Sequence, residues 1–225
     1  MLSPGALGSA PRTDPLLPRP MAVYRGAAER IEILYKQSGR GTALLAEGRP
    51  GERVRLVGPL GRPFALPVPG ERAVLVGGGT GIASLGELAA RLAGAAPVRV
   101  LLGARSAAEL MGREDFEALG TPVSVATEDG TAGERGLVTE LLARELAAGG
   151  RARVYACGPT AMMRRCAEIA AAAGAAAIAS LENHMACGFG VCLGCAVPLR
   201  AGGYALVCRD GPVFAADDVA WQGLP

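Results

Sequence analysis

The sequence has 225 residues, of which 50% are hydrophobic, and a chain of this size buries about 70% or more of its unfolded surface, which excludes disorder of the whole chain. The formal net charge of +2 is too balanced for a dedicated nucleic-acid binder or a polybasic membrane protein. No stretch reaches the roughly 18 apolar residues of a membrane span, so we expect neither nucleic acid nor a membrane span.

The first 70 residues are rich in turn-forming residues. Residues 1–18 carry no strand pattern, and we expect a flexible or loosely docked arm. Two short strands are predicted beyond it, at Ile31–Lys36 and Arg53–Val57. Glycine-bearing turns at Gly39–Gly41 and Gly58–Gly61 bound these strands.

Residues 71–181 alternate short apolar runs with helical stretches. This alternation predicts βαβ units and a doubly wound parallel sheet. The predicted strands are Ala73–Val76, Val98–Leu102, Val123–Thr127, Val154–Cys157 and Ala176–Leu181. The predicted helices are Ile82–Leu92, Ala107–Leu119, Leu137–Ala148 and Ala161–Ala173.

Two glycine-bearing loops follow strands of this region. The first contains Gly77, Gly78, Gly79 and Gly81, and the second contains Cys157, Gly158 and Pro159. Both are predicted at the carboxyl edge of the sheet, where open α/β folds bind ligands and where glycine lets the backbone approach a pyrophosphate. Because the first loop is not a strict G-x-G-x-x-G, a plain strand-to-helix turn stays open. Arg105 is either a ribose or phosphate contact or a solvated surface residue.

The C-terminal region, residues 182–225, breaks this alternation and holds four of the six cysteines. Cys187, Cys192, Cys195 and Cys208 have four, two and twelve residues between them. The first three match the C-x4-C-x2-C spacing of a plant-type [2Fe–2S] site, and neighbouring glycines permit the tight turns. Zinc is the less favoured alternative, because its four-cysteine sites more often contain two C-x2-C pairs, and a disulfide is less favoured still.

The first 20 residues do not resemble a signal peptide, so we expect a cytoplasmic protein with reduced cysteines. Six cysteines in a reducing compartment favour metal ligation or catalysis over disulfides. Cys166, in a predicted helix, is expected to be a small buried apolar residue.

The cysteine region carries a family resemblance. The run from Cys187 to Cys195, preceded by Leu181–Glu182 and followed by Val207–Phe214, closely resembles the electron transfer subunits of type B dihydroorotate dehydrogenase. The glycine loops resemble the nucleotide domain of the ferredoxin–NADP reductase superfamily, to which those subunits belong. The resemblance runs from about residue 15 to 214.

The same resemblance implies a flavin site. Arg19, Pro20, Met21 and Ala22 resemble the superfamily's Arg-Pro-x-Ser motif, and Leu34, Tyr35, Lys36, Gly41 and Thr42 resemble its other FAD contacts. Ala22 stands where the family usually has serine, and Ala83-Ser84 stands where it often has proline. The early strands of the family's closed β-barrel would precede the Arg-Pro motif, so we expect a partial barrel.

The implied fold is α/β plus β, in three units after the arm. A partial FAD-binding β-barrel spans residues 19–70, a doubly wound NAD-binding domain spans 71–181, and a small [2Fe–2S] domain spans 182–225. The implied activity takes electrons from NADH through FAD and the [2Fe–2S] cluster to FMN in a separate catalytic subunit. That subunit oxidises dihydroorotate in pyrimidine biosynthesis, and the complex is expected to be a heterotetramer of two plus two.

The chemistry agrees with this set of cofactors. A hydride carries two electrons whereas a cluster accepts one at a time, so a flavin is needed between them. Because hydride transfer needs no general base, no catalytic side chain is predicted. Two alternatives stay open: a gamma-type sulfhydrogenase subunit or stand-alone NAD(P)H reductase, and a non-catalytic iron–sulfur sensor without flavin. Leu193-Gly194 in the cysteine loop favours the dihydroorotate dehydrogenase family.

Overall fold

The structure is a computed structural model that describes residues 1–4, 14 and 17–224. The strands are β1 Leu2–Ser3, β2 Arg25–Ala27, β3 Arg30–Glu32, β4 Arg55–Leu56, β5 Arg72–Gly78, β6 Val98–Ala104, β7 Val123–Thr127, β8 Glu134–Arg135, β9 Ala152–Cys157, β10 Ala176–Ser180, β11 Ala196–Pro198, β12 Tyr204–Leu206 and β13 Val213–Ala215. The α-helices are α1 Arg40–Ala46, α2 Gly86–Leu92, α3 Arg113–Ala118, α4 Val138–Ala147 and α5 Thr160–Ala172. Short 3-10 helices cover Gly79–Leu85, Ala107–Glu109, Ala216–Asp218 and Trp221–Gly223.

A seven-stranded sheet forms the centre of the molecule, in the order β13-β10-β9-β5-β6-β7-β8. Neighbouring strands are parallel except at β13, which runs antiparallel to β10 with Ala179 opposite Phe214. Strand order reverses at β5, whose neighbours are β6 and β9. In sheets of this kind, ligands bind outside the carboxyl ends of the strands at that reversal.

Both faces of the sheet are covered, as parallel sheets require. Side chains of β5 alternate between two hydrophobic cores: Val74 and Val76 point to the core that contains α4 and α5, whereas Ala73 and Leu75 point to the core of α2 and α3. This alternation follows from the two-residue period of a strand. The continuous apolar run in β5 is therefore explained by burial on both sides.

The predicted doubly wound sheet is confirmed, with each of the five predicted strands present. The edge strands β8 and β13 were not predicted. The first part of the predicted helix Ile82–Leu92 is a 3-10 helix, and the predicted helix Ala107–Leu119 is interrupted at Gly112, which has a φ of 66°. A left-handed residue cannot continue an α-helix, so only Arg113–Ala118 is α-helical.

The N-terminal region differs from prediction in two places. Leu2 and Ser3 pair with Leu56 and Arg55, and Met1 is buried, so the expectation of a flexible or loosely docked arm is wrong for residues 1–4. Most of the predicted arm, residues 5–13, 15 and 16, lies outside the described residues. The predicted strands Ile31–Lys36 and Arg53–Val57 shorten to β3 and β4, each paired in a two-stranded sheet.

The predicted turn at Gly39–Gly41 is wrong, because helix α1 begins there. The Thr42 hydroxyl accepts hydrogen bonds from the backbone N–H groups of Ser38 at 2.9 Å and Gly39 at 3.1 Å, and donates to the Gly39 carbonyl at 2.9 Å. These bonds satisfy polar groups at the start of the helix and fix its first turn.

Residues 17–70 dock against the rest of the molecule through specific bonds. The buried Tyr24 hydroxyl donates to Asp115 Oδ2 at 2.9 Å, and the Tyr155 hydroxyl donates to the Ala65 carbonyl at 2.9 Å. The Arg62 backbone N–H donates to the Gly211 carbonyl at 2.6 Å. The segment is thus tied to both the large sheet and the cysteine region.

The C-terminal region contributes β13 to the large sheet, and its β11–β12 hairpin joins the core that contains α4 and α5. The predicted division at residues 18, 70 and 181 stays a prediction. Across the described residues, none of the helices has the length and hydropathy needed to cross a bilayer.

Candidate functional site

A cavity of about 730 Å³ opens at the carboxyl edge of the large sheet. The loops after β5 and β9, the ends of β6 and β7 and the first residues of α4 and α5 line it. This is the edge predicted for a nucleotide, and it lies where the strand order reverses.

The two predicted glycine loops touch each other at this edge. A Cβ atom at Gly81 would overlap the carbonyl group of Cys157 and the backbone nitrogen of Gly158. Gly158 has a φ of 154°, and a Cβ there would lie 2.8 Å from the Gly78 carbonyl oxygen. Only glycine permits this backbone approach, so the local sequence creates a cradle of main-chain groups.

The structure separates the predicted nucleotide residues into two sets. Gly78, Gly79, Gly158 and Pro159 line the cavity. Gly77, Gly81 and Cys157 lie behind it. Gly81 packs against Cys157 of the second loop, whereas Gly77 packs against Ile82 and Leu85. Burial raises the pKa of the Cys157 thiol to about 12, so this side chain stays a neutral packing group. A glycine cradle beside the start of α5 suits a pyrophosphate, which the first set would hold.

The predicted flavin residues come together only in part. The Arg19 guanidinium lies so close to Gly41 that a Cβ there would overlap it. Lys36 lines the cavity, and its ammonium lies 2.9 Å from Glu109 Oε2. The Arg19 guanidinium next to Gly41, a residue without a side chain in the first turn of α1, could bind a flavin phosphate.

The other predicted flavin residues have simpler surroundings. Thr42 caps α1, and Leu34 packs at the edge of the core that contains α2 and α3. Pro20 is exposed, whereas Met21, Ala22 and Tyr35 are half-buried. Their contacts with FAD therefore stay a prediction.

The four predicted cluster cysteines form two pairs. The sulfur atoms of Cys195 and Cys208 lie 3.3 Å apart, and both residues are buried. Cys187 and Cys192 form the second pair through hydrogen bonds to the Cys187 sulfur, and Cys192 is exposed. A binuclear cluster needs two thiolates on each of two iron atoms, so this donor set fits a [2Fe–2S] cluster.

Backbone N–H groups point at these sulfur atoms. The N–H groups of Cys192 and Phe189 hold the pKa of Cys187 down at about 6, and the Phe189 nitrogen lies 3.5 Å from its sulfur. The Cys208 N–H makes the same contact with Cys195 at 3.5 Å. At Cys187 such donors favour the thiolate, which is the form that binds iron, whereas burial raises the pKa of the Cys208 thiol to about 11.

The loop needs unusual backbone conformations to turn its sulfur atoms inward. Gly188 and Gly190 have φ angles of 83° and 90°, as the predicted tight turns require. Leu193 has a φ of 57° and is the non-glycine residue with positive φ among the described residues. Strained backbone of this kind clusters at binding sites, where surrounding structure holds it.

Within the residues that the structure describes, no three His, Cys, Asp or Glu side chains converge to hold a single metal ion. The thiols lie in two pairs, Cys195 with Cys208 and Cys187 with Cys192. The choice of a [2Fe–2S] cluster over zinc stays a prediction from the cysteine spacing.

Sequence analysis missed Glu182 as a site residue. It follows β10 and lines the cavity, where the residue stays exposed to solvent. The protein atoms around the cavity partly exclude water from its carboxyl and raise the pKa of this group above the ordinary value of 4.5, and its charge acts on Cys157. A glutamate within a cysteine-rich segment gave no distinct signal, because its place at the cavity depends on how β10 and the first glycine loop meet.

We expect Glu182→Gln to change how stability depends on pH. The unfolded chain releases this proton at the ordinary pKa and the folded chain releases it at a higher pH, so the wild type loses stability as pH rises between the two. Glu182→Gln should remove this loss and be more stable relative to the wild type at pH 8 than at pH 4. Because Glu182 is exposed to solvent, the change should be small, and urea unfolding at both values would measure it. A pH-independent difference would show that the cavity does not raise the pKa of this carboxyl.

Two regions of the chain match known protein families. A sequence profile described as the iron-sulfur cluster binding domain of dihydroorotate dehydrogenase B matches residues 182–220, and an oxidoreductase NAD-binding domain profile matches residues 75–168. The electron transfer subunit of dihydroorotate dehydrogenase B (NAD(+)) from Desulforamulus reducens is 37% identical over 215 residues, covering 93% of this chain and 82% of the relative. The chain belongs to this family of electron transfer subunits.

Other relatives agree. The same subunit from Bacillus caldolyticus is 42% identical over 219 residues, with 93% and 82% of the two chains covered. A solved structure of the NADH-dependent reduced ferredoxin–NADP oxidoreductase superposes with a TM-score of 0.84 at 28% identity, covering 98% of this chain and 78% of that one. The Amycolatopsis cytochrome P450 reductase gives a TM-score of 0.60 at 26% identity, with 76% and 56% covered.

These matches confirm three predictions: the family, the α/β fold of the ferredoxin–NADP reductase class, and the order of an NAD-binding region followed by an iron–sulfur region. The individual site residues stay predictions, supported by the contacts described above.

Proposed function

We propose that this chain carries electrons between the FMN of a dihydroorotate dehydrogenase catalytic subunit and NAD(H), through a [2Fe–2S] cluster and FAD. Because oxidation of dihydroorotate releases electrons, dihydroorotate is the donor and NAD⁺ the final acceptor, which is the reverse of the direction expected from the sequence. The observation that carries the proposal is the pairing of four cysteines in one chain with a glycine-lined nucleotide cavity. Membership of the family supplies the identity of the partner.

The position of the glycine loops sets the orientation of a dinucleotide along the sheet edge. A pyrophosphate held by the loops after β5 and β9 leaves one nucleoside over β6 and β7 and the other over β9 and β10. The chain continues from β10 into the cysteine loop, with Glu182 only five positions before Cys187. The nicotinamide therefore belongs on the β10 side, where electrons have the shortest route to the cysteines.

The flavin belongs between the cavity and residues 17–42. Lys36 reaches the cavity, and Arg19 over Gly41 offers a place for a phosphate. A bound flavin would exchange a hydride with the nicotinamide and single electrons with the iron–sulfur cluster, which joins two-electron to one-electron chemistry. The protein's contribution is to bind these groups side by side and to hold the cysteine thiolates for iron.

The tip of the cysteine loop is the proposed point where electrons pass between this chain and its partner. Phe189, Val191 and Leu193 have exposed fractions of 58%, 73% and 62%, and the exposed Cys192 lies among them. Exposed apolar side chains at a redox centre mark a contact surface for a protein partner. We assign this surface to the FMN-containing catalytic subunit, in a complex of two plus two chains.

We also place the complex in the cytoplasm, because a reducing compartment keeps cysteine thiols available as iron ligands.

The proposal is tested by co-expressing the chain with a dihydroorotate dehydrogenase B catalytic subunit under anaerobic conditions. We expect the two to co-purify, with flavin and iron–sulfur absorbance, and to reduce NAD⁺ when given dihydroorotate. The catalytic subunit expressed alone is the control and should not reduce NAD⁺. A complex that contains both cofactors but does not couple dihydroorotate to NAD⁺ would refute the assignment.

The structural likeness to the NADH-dependent reduced ferredoxin–NADP oxidoreductase favours a second candidate with the same cofactors. In that case the cluster exchanges electrons with a different redox protein. NADH-dependent dye reduction without dihydroorotate coupling would select this second candidate.

A further inference from the structure

Three neighbouring strands end together beyond the glycine cradle. The Glu128 N–H donates to the Ala104 carbonyl at 3.2 Å, and the Gly136 N–H donates to the Thr127 carbonyl at 3.0 Å. These bonds place Arg105 after β6, Glu128 after β7 and Gly136–Leu137 after β8, side by side along the cavity. Adjacent strands lie about 4.8 Å apart, so this row begins one strand away from the pyrophosphate cradle at β5.

Half of the charged groups lining the cavity already have partners. Lys36 pairs with Glu109 at 2.9 Å, and Arg165 pairs with Glu168 at 3.1 Å. Across residues 17–224, neither Arg105 nor Glu128 has an oppositely charged group at ion-pair distance, although they follow adjacent strands. The row of strand ends thus offers one carboxylate and one guanidinium to a ligand.

The ligand expected here is the adenosine half of the dinucleotide, because the nicotinamide half belongs on the β10 side. Leu137 is 53% exposed and lines the cavity, which offers an apolar surface to an adenine ring. The ribose then lies near Glu128, between the base and the cradle. A carboxylate accepts hydrogen bonds from ribose hydroxyls but repels a phosphate on the same ribose.

We propose that Glu128 is the residue that selects NADH over NADPH. This inference rests on the proposed function, because it assumes a dinucleotide in the cavity. The Glu128 carboxylate accepts a hydrogen bond from the 2′-hydroxyl of the adenosine ribose and excludes a 2′-phosphate. Arg105 is close enough to admit that phosphate once the carboxylate is removed.

The test uses binding as well as turnover. ADP-ribose and its 2′-phosphate are titrated by calorimetry into the FAD- and cluster-loaded protein, and kcat/KM is measured for NADH and NADPH with an artificial dye. The variants are Glu128→Gln and Glu128→Arg. The matched control is Glu117→Gln, an exposed glutamate on α3 that pairs with Arg113 and does not line the cavity.

We expect wild type to bind ADP-ribose more tightly than its 2′-phosphate. Glu128→Gln should lower the Kd for the 2′-phosphate relative to the Kd for ADP-ribose by on the order of tenfold. Glu128→Arg should lower it further. The kcat/KM ratio should shift in the same direction, while Glu117→Gln should keep the wild-type ratios. A far-ultraviolet spectrum and melting temperature close to wild type show that each variant folds.

Three outcomes overturn the inference. Wild type that prefers the 2′-phosphate contradicts it, and so do Glu128 variants whose ratios stay within about twofold of wild type. In both cases the electron-transfer proposal still holds, provided that wild type binds ADP-ribose and oxidises NADH. Wild type that binds neither probe and oxidises neither nucleotide contradicts both.

Discussion

Cys195→Ala is expected to abolish assembly of the iron–sulfur cluster. Cys195 is only 1% exposed, its sulfur lies 3.3 Å from that of Cys208, and the Cys208 N–H points at it. Removing this thiol leaves one iron atom with a single protein ligand from its pair, in a buried place where water is a poor substitute. Even changes one step removed from a metal ligand cost about 10–100-fold in metal affinity, so the loss here should be at least that large.

Iron and sulfide content after gel filtration and the visible absorbance of the cluster measure this result. The matched control is Cys166→Ala, a thiol that is also fully buried but lies on α5, outside the cysteine loop. The control should keep a full cluster. NADH-dependent reduction of a dye that accepts electrons from flavin should survive in Cys195→Ala; a full cluster in this variant would show that Cys195 is not a ligand.

Gly81→Ala is expected to weaken nucleotide binding at least tenfold. The added methyl group would overlap the backbone of Cys157 and Gly158, which cannot rotate away as a side chain can. The two loops must then separate, and forced overpacking of this kind costs about 1–3 kcal/mol. Because Gly81 lies behind the cavity, the substitution removes no contact with the ligand and acts only by moving the cradle.

Calorimetric titration with ADP-ribose measures the loss, and melting temperature follows stability. Gly94→Ala is the matched control: Gly94 has a φ of 74°, but a Cβ there meets no atom within 4 Å. It should lose some stability through backbone strain and keep wild-type affinity. Equal affinity in Gly81→Ala and wild type would mean that contact between the loops does not position the nucleotide.

The sequence predicted the large sheet because local and long-range requirements coincide there. Ala73–Val76 is apolar throughout, and the fold buries both faces of β5. The cysteine loop was predictable for a related reason: its spacing is set by ligand chemistry rather than by packing, and the structure brings the cysteines together in pairs.

Other features depended on contacts that no local pattern reveals. A glycine pair around Arg40 is typical of a turn, but the Thr42 hydroxyl satisfies the backbone of Ser38 and Gly39 and starts α1. The strand β13 is only three residues long and forms because β10 offers a free edge. Glu182 becomes a cavity residue through the same strand end, and Leu193 adopts a positive φ that leucine rarely does.

The backbone bond between Arg62 and Gly211 has a consequence for electron flow. Gly61 lies against Gly211 and Pro212 so closely that a Cβ would be 2.7 Å from the Gly211 carbonyl oxygen, and Tyr155 bonds the same segment to the sheet only three residues later, at Ala65. These contacts tie the segment to the cysteine region on one side and to the sheet on the other. We therefore expect the cysteine region to keep its place against the sheet while electrons pass, so that transfer would occur across constant distances.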